Sequence, residues 1–230
     1  METPVMKKED AQLLLDKRFV RVYDLRYNGG QHYYNASRRD LDGLCAYKSD
    51  EDFKSMQPDA VSCIIIVKTP GDKPRILLSY EYRYPAGRFL LGPVAGLIDP
   101  ADAEGGDAVL TAARREIHEE SGITIGPEDK LWVVNPFALS TPGMTDESNA
   151  IICAYVDLPD LSSLSQDGAE GTEQFNGFRL YNKEEAARIW REGRDEYGNP
   201  FSLMTWAMLA YFISGEWEQY AECSRINGCR

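Results

Sequence analysis

The stretch RREIHEESGI, from Arg114 to Ile123, restricts the fold and the chemistry of this chain more than any other feature. Three glutamates fall within five positions of it, directly after two arginines. Asp107 is a suitable N-cap and Gly122 a typical C-terminal stop, which predicts a helix between them. Glu116 and Glu120 lie four residues apart, so they share one face of that helix.

The glutamates of this helix repel one another, so they either face water or surround something positive. Ligand sets made only of oxygen atoms suit hard cations such as Mg²⁺ or Mn²⁺ better than zinc. Glu119 borders the shared face, and Arg115 could hold one carboxylate in its working rotamer through a bidentate pair. On these residues alone, a solvated acidic helix face with Glu–Arg pairs is the alternative.

The charge of the chain limits the kinds of partner that it can bind. Its 230 residues carry a formal net charge of -12, and a groove for long nucleic acid needs a basic stripe, so no such partner is expected. A small phosphorylated ligand is compatible with this charge if metal ions neutralise the site locally. No apolar run has the length of a membrane span, and five widely spread cysteines are typical of reduced thiols, so we expect a cytoplasmic protein without a membrane partner.

Strand patterns outnumber helix patterns and are mixed with them along the chain, which predicts an α/β or α+β layered domain. A leading β-hairpin is predicted around the turn Asn28-Gly29-Gly30, whose residues accept positive φ. The polar, turn-like segment 48–58 predicts a boundary near residue 55, between a hairpin region (1–55) and a main domain (56–230). Strands are predicted for VSCIIIVK, PRILLSYEYRYP, KLWVVNPFAL, NAIICAYVDL and FNGFRLY, and helices for KEEAARIWREG and PFSLMTWAMLAYFISGEW.

The order Arg-Glu-Ile-His-Glu-Glu-Ser-Gly-Ile, after a strand exit rich in glycine and proline, resembles the second half of the Nudix hydrolase signature. All seven specified positions of that half match. The first half of the signature places a glycine, five residues, a glutamate and seven residues before the arginine. Here the glycine is Gly96 and an aspartate replaces the glutamate. Asp102 keeps the spacing from Gly96, and Asp107 keeps the spacing to Arg115, so both assignments stay open.

Features outside the signature resemble the ADP-ribose pyrophosphatase branch of this family. YEYRYPAGRFLLGPVAGLIDP is similar to the strand of that branch with a Tyr-Arg or Phe-Arg pair, which implies substrate contacts by Tyr82 and Arg83. ALSTPGMTDES is similar to its Ser-Pro-Gly loop, which implies a substrate contact at Gly143. The leading hairpin has the place and length of the strands through which that branch forms homodimers, so the resemblance implies a homodimer.

The resemblance implies an α/β/α sandwich around a mixed β-sheet, with the N-terminal β-hairpin as an appendage. It also implies two or more Mg²⁺ ions, or Mn²⁺ as a substitute. Glu116 and Glu120 would be direct metal ligands, and Glu119 a third or water-mediated ligand. The backbone carbonyl of Ala95 would be a further ligand, and Arg115 would orient the carboxylates.

In this branch the general base commonly comes from a mobile acidic loop beyond the signature, and the corresponding stretch is DGAEGTEQF. It offers Glu170 and Glu173, of which Glu173 is favoured because it lies closer to the following strand. The implied reaction is hydrolysis of ADP-ribose, or a related nucleoside diphosphate sugar, to AMP and a sugar phosphate. The alternatives are hydrolysis of NADH or of a modified nucleoside triphosphate, and a non-catalytic domain that senses a nucleotide.

Overall fold

The computed structural model describes residues 5–126, 128–168 and 173–222. The chain divides into two compact units, one formed by residues 1–59 with 136–149 and the other by residues 60–135 with 150–230. The smaller unit therefore combines the N-terminal region with a segment from the middle of the chain. We call them the N-terminal unit and the main unit.

The N-terminal unit contains a three-stranded antiparallel sheet in the order β1-β2-β3. Its strands are β1 (Ala11–Lys17), β2 (Val20–Tyr27) and β3 (Gln31–Ser37). The turn between β2 and β3 has positive φ at all three predicted positions: 48° at Asn28, 76° at Gly29 and 131° at Gly30. The predicted hairpin turn is therefore confirmed.

The predicted hairpin was incomplete, because β1 adds a third strand to it. The apolar residues of β1 are the consecutive Leu13, Leu14 and Leu15, which are 41–51% exposed and do not alternate with polar residues. The period-two signal of a strand is absent there, and the pairing with β2 shifts register between Leu13 and Leu15. The segment predicted as a turn near residue 50 also differs, since it forms a short helix, α1 (Asp50–Lys54), with Ser49 as its N-cap.

A buried arginine joins the two chain segments of the N-terminal unit. Arg39 Nη2 lies 2.8 Å from Asp59 Oδ2, and the two side chains are only 9% and 11% exposed. The same guanidinium donates to Ser148 Oγ at 2.9 Å and to the carbonyl of Asp146. These contacts fix the segment 146–148 to the N-terminal region. Loss of Arg39 would leave Asp59 buried without its cationic partner, which strongly destabilises a folded protein.

The main unit is built on a seven-stranded sheet in the order β10-β5-β4-β9-β8, with β6 paired to β5 and β7 to β4. Its strands are β4 (Ala60–Lys68), β5 (Arg75–Arg83), β6 (Arg88–Gly92), β7 (Val94–Leu97), β8 (Lys130–Leu139), β9 (Ser148–Asp157) and β10 (Phe175–Tyr181). The helices are α2 (Ala108–Ser121), α3 (Lys183–Glu192), α4 (Leu203–Ser214) and α5 (Glu218–Ala221). The helix KEEAARIWREG and the five strands predicted above are confirmed within one or two residues at most ends, whereas α4 is shorter than the apolar run that predicted it.

Both faces of this sheet are covered, because alternate residues of the buried strand β4 enter different cores. Cys63 and Ile65 pack in one core with Ile117 of α2. Ile64 packs in the other core with Leu209 of α4. The predicted α/β/α sandwich is therefore confirmed. None of the helices in the described part of the chain has the length and apolar character needed to cross a bilayer.

The sheet opens beside α2, and this opening positions the site described below. Strands β4 and β5 pair with each other only over Ile65–Val67 and Arg75–Leu77. Beyond that point β4 pairs with β7, and β5 pairs with β6. Only Pro93 separates β6 from β7, so this part of the chain enters the gap between β4 and β5.

Candidate active site

Helix α2 begins and ends where the sequence predicted. The side chain of Asp107 accepts hydrogen bonds from the backbone N–H groups of Val109 and Leu110. Gly122 ends the helix in the left-handed region, with φ of 75°. The apolar stripe of α2 is buried against the sheet, and this orientation turns two of its three glutamates inward.

Glu116 and Glu120 are buried on one face of α2, where they are 7% and 3% exposed. A Cβ atom at Gly96, on β7, would lie 1.9 Å from Glu116 Oε1, so the carboxylate rests directly on the glycine backbone. Glu120 accepts a hydrogen bond from the backbone N–H of Ala95. Its other oxygen, Oε2, is buried and has no hydrogen-bond partner. Leaving such an oxygen unpaired in the protein interior costs free energy unless a hydrogen-bond donor or a cation pairs with it.

Ala95, whose backbone carbonyl was predicted as a metal ligand, lies next to Gly96 on β7. Glu116 rests on Gly96, so Ala95 is close to the buried carboxylates.

The carboxylates of this face are hard to ionise without a nearby cation. Burial raises the pKa of Glu120 to about 9, and the charges of Glu81, Glu116 and Glu173 act in the same direction. Burial also raises the pKa of Glu116, although the adjacent Arg115 opposes this effect.

Arg115 is the cation that the chain itself supplies to this cluster. Its Nη1 donates to Glu116 Oε1 at 2.7 Å and to Glu119 Oε2 at 3.1 Å. Its Nη2 donates to the carbonyl of Leu97 at 2.9 Å and to Asp102 Oδ2 at 3.0 Å. The guanidinium therefore connects the carboxylates of α2 to the chain just after β7, which is a wider role than the single bidentate pair predicted from the sequence.

Asp102 and Asp107, the two candidates for the early acid of the signature, have different roles. Asp102 is 4% exposed and contacts Arg115 through both oxygens. Burial acts to raise the pKa of Asp102, but the hydrogen bonds from Arg115 and from the backbone of Asp99 lower it below its ordinary value. Asp107 caps the helix instead. The longer spacing before α2 forms a 3₁₀ helix (Pro100–Gly105), and this leaves the contact between Asp102 and Arg115 in place.

Of the two candidate bases, Glu170 lies outside the described residues and Glu173 lies within them. Glu173 lies near the buried carboxylates, and its charge helps to raise the pKa values of Glu116, Glu120 and Glu81. Its neighbour Gln174 is anchored to β5, since the carbonyl accepts a hydrogen bond of 2.8 Å from the backbone N–H of Tyr82.

Sequence reasoning missed one carboxylate of this site, Glu81 of β5. Its side chain is 16% exposed, and its Oε2 lies 2.6 Å from Arg83 Nη2. Burial raises the pKa of Glu81, although Arg83 lowers it. The available signal was a single acidic residue in a strand whose interior is mostly apolar and aromatic. Tyr82, which points to the opposite face, packs edge-on against Tyr84 and Phe89 with ring centroids 5.1 and 5.3 Å apart.

Gly143 belongs to the N-terminal unit. Its carbonyl accepts a hydrogen bond of 2.7 Å from the hydroxyl of Tyr33 on β3. The predicted substrate contact at this position is therefore on a loop whose conformation depends on the N-terminal sheet.

Two observations indicate that the residues of the main unit are suited to bind a hard cation. A buried carboxylate oxygen of Glu120 lacks a partner, and the glycine at 96 leaves room for Glu116 that any side chain would fill. Within the described residues, no three acidic, histidine or cysteine side chains form a ready-made cage for a metal. Arg115 pairs with Glu116 and Glu119, and Arg83 pairs with Glu81. These carboxylates would have to turn from the arginines to bind a cation.

Comparison with known proteins decides the family. The NUDIX domain model matches residues 56–198 of this chain, which is more than half of its length. The chain belongs to the Nudix family. The family predicted from the second half of the signature is therefore confirmed.

Several Nudix proteins are similar to this chain over part of their length. A Nudix relative from Caenorhabditis elegans is 36% identical over 99 residues, covering 43% of this chain and 40% of its own. An uncharacterized Nudix hydrolase from Schizosaccharomyces pombe is 32% identical over 100 residues, covering 44% of each chain. The human NAD-capped RNA hydrolase NUDT12 is 27% identical over 128 residues, covering 53% of this chain and 26% of its own. The matches thus span less than half the length of these relatives.

A solved structure described as an ADP compounds hydrolase has a similar fold. The alignment covers 94% of this chain and 97% of the chain of that structure, with a TM-score of 0.53 and 16% sequence identity. At this identity the comparison supports the Nudix fold of the chain and nothing about its substrate.

Replacing Gly96 with alanine tests the contact on which the Nudix carboxylates rest. The added Cβ displaces Glu116, so we expect Gly96→Ala to lower the free energy of unfolding by about 1–3 kcal/mol in EDTA. Gly92→Ala is the matched control, because its Cβ would meet only Thr205 Oγ1, at 3.9 Å. Urea unfolding curves measure the free energy of unfolding of both variants. Equal stabilities for the two variants would contradict the contact between Gly96 and Glu116.

Proposed function

We propose that this Nudix chain hydrolyses the diphosphate linkage of ADP-ribose or of a related nucleoside diphosphate sugar, giving AMP and a sugar phosphate. The observation that carries the proposal is the buried pair Glu116 and Glu120, which rests on Gly96 and Ala95 with one carboxylate oxygen unpartnered. The hydrolase names of the relatives support a hydrolytic reaction. The fold neighbour, which is described as an ADP compounds hydrolase, shares the fold of this chain, and the proposed branch is compatible with that fold.

The proposed cofactor is Mg²⁺, with Mn²⁺ as a substitute, bound as two or more ions. Glu116, Glu120 and the carbonyl of Ala95 would hold the ions, and Glu119 would be a further or water-mediated ligand. When bound, such ions neutralise the diphosphate, activate water and stabilise the leaving phosphate. They also explain how a chain with a net charge of -12 could accept an anionic substrate.

The protein groups around the carboxylates have separate proposed roles. Arg115 orients Glu116 and Glu119 through its two hydrogen bonds to them. Glu173 accepts the proton of the attacking water, whose oxygen bonds to one phosphorus while the bridging P–O bond breaks. Glu170 is the alternative base on the same loop.

Substrate contacts are proposed for Tyr82, Arg83 and Gly143. Arg83 is 48% exposed beside Glu81, so its guanidinium can also reach a diphosphate oxygen. Hydrolysis of NADH or of a modified nucleoside triphosphate, and a sensing role without turnover, are the alternatives that a substrate panel distinguishes.

We expect ADP-ribose to give AMP and ribose 5-phosphate in the presence of Mg²⁺ and no product in EDTA. Glu120→Gln removes a proposed ligand at nearly constant volume, so turnover should fall by more than about 100-fold. Glu128→Gln, the same change at an exposed position, should keep full turnover. Turnover is measured by chromatography of the products formed from ADP-ribose, ADP-glucose, NADH and nucleoside triphosphates. Preferred cleavage of NADH or a triphosphate would reject the proposed branch, and tight binding without cleavage would indicate a sensor.

Glu173→Gln should lower kcat by about 100-fold or more, because it removes the proposed proton acceptor. The change should affect Mn²⁺ affinity much less than turnover, since Glu173 is not a proposed ligand. Steady-state kinetics and Mn²⁺ titration of the same preparation separate the two effects. If Glu170→Gln has this effect and Glu173→Gln does not, the base is Glu170.

We also propose that the chain forms a homodimer through the N-terminal sheet. Strand β1 pairs only with β2 and exposes the apolar side chains of Leu13, Leu14 and Leu15, a surface that a second copy can cover. Sedimentation velocity should give twice the chain mass, and Leu14→Asp should give a monomer. Leu203→Asp, at an equally apolar exposed position on α4, should leave the dimer intact. A wild-type monomer would reject the proposal.

A further inference from the structure

The carboxylate of Glu81 lies opposite the buried glutamates of α2, on the other side of the sheet opening. Glu81 pairs with Leu90 of β6 and with Phe175 of β10, so its backbone is fixed from both sides. Side chains of a strand alternate between faces, and Glu81 therefore shares the face of Leu77. Leu77 packs in the core that includes Ile117 of α2, so Glu81 points toward the α2 side of the sheet.

The opening between β4 and β5 brings this side chain and the α2 carboxylates to one region. β7, which carries Gly96, enters the gap on the β4 side, and β6 enters it on the β5 side next to Glu81. Glu116 rests on Gly96 from above the same gap. Among the neighbouring charges, that of Glu81 does most to raise the pKa of Glu120, which agrees with this placement.

Within the described residues, the carboxyl groups of this region outnumber the cationic side chains that pair with them. Glu81 has Arg83 as its cationic partner, and Glu116 has Arg115. Glu120 is 3% exposed, accepts one hydrogen bond from Ala95 and has a second oxygen without any partner. A cation beside that oxygen would satisfy Glu120, and Glu81 is the carboxylate on the facing strand that can share such a cation.

We propose that Glu81 is a further ligand of the cation site, so that the cation is held between α2 and β5 rather than by α2 and β7 alone. The inference rests on the proposed function, because it assumes that Glu116 and Glu120 bind a divalent ion. In the metal-free protein, Arg83 pairs with Glu81. When the cation takes over Glu81, the guanidinium of Arg83 is released and can bind an anionic ligand. A ligand set made of oxygen atoms from one helix and two strands suits Mg²⁺ or Mn²⁺.

Calorimetric titration of Mn²⁺ into the full chain tests this role without measuring activity. Glu81→Gln removes the ligand, and we expect the Kd for Mn²⁺ to rise by at least about tenfold. Glu81→Asp keeps the charge but withdraws the oxygen atoms by one methylene, so a direct ligand should lose affinity in this variant as well. Glu128→Gln, at an exposed position, should bind Mn²⁺ as the wild type does. Thermal unfolding in EDTA checks that each variant is folded.

The outcomes separate this inference from the proposed function. Wild-type affinity in both Glu81 variants, together with loss of binding in Glu120→Gln, would overturn the role of Glu81 alone. Loss of affinity in Glu81→Gln but not in Glu81→Asp would also overturn it, because only the charge would then matter. If the wild-type chain does not bind Mn²⁺ at all, the proposed function fails as well.

Discussion

The contact between the α2 carboxylates and the backbone of β7 is the interaction on which the rest of the site depends. Glu116 can approach Gly96 only because that residue has no side chain, and Glu120 takes the backbone N–H of Ala95. These contacts bury two carboxyl groups close together, and ionising both of them is unfavourable unless positive groups compensate the charge. Arg115 compensates one side of the cluster, and Glu120 keeps one oxygen unpaired.

The fold explains why this arrangement occurs at this point of the sheet. An apolar stripe, buried in the core with β4, sets the rotation of α2 and so turns Glu116 and Glu120 inward. The opening between β4 and β5 admits β6 and β7, and β7 brings a glycine under the helix. Glu81, on β5, lies on the facing side. Arg115 then connects the helix to Leu97 and Asp102. The acidic site is therefore a consequence of packing, and its charge is suited to a cation that also attracts a diphosphate.

Local features of the fold and site could be predicted from the sequence. The caps of α2 at Asp107 and Gly122 act within one turn, and the spacing of Glu116 and Glu120 fixes their common face. The family follows from the same short stretch. These predictions needed no knowledge of distant contacts.

Features that depend on distant pairing could not be predicted. Spacing alone allowed both Asp102 and Asp107 as the early acid, and only the packing of the longer loop brought Asp102 to Arg115. Glu81 was missed because its direction depends on the pairing of β5 with β6 and β10. Strand β1 was missed because three consecutive leucines give no alternating pattern.

Crystals of the full chain, soaked in Mn²⁺ and measured at the manganese absorption edge, would show whether Glu116 and Glu120 bind a divalent cation. If Glu116 and Glu120 bind a divalent cation, an anomalous difference peak is expected within about 2.3 Å of carboxylate oxygens of both residues. Peaks confined to exposed carboxylates, with Glu116 still bound only by Arg115, would contradict this binding.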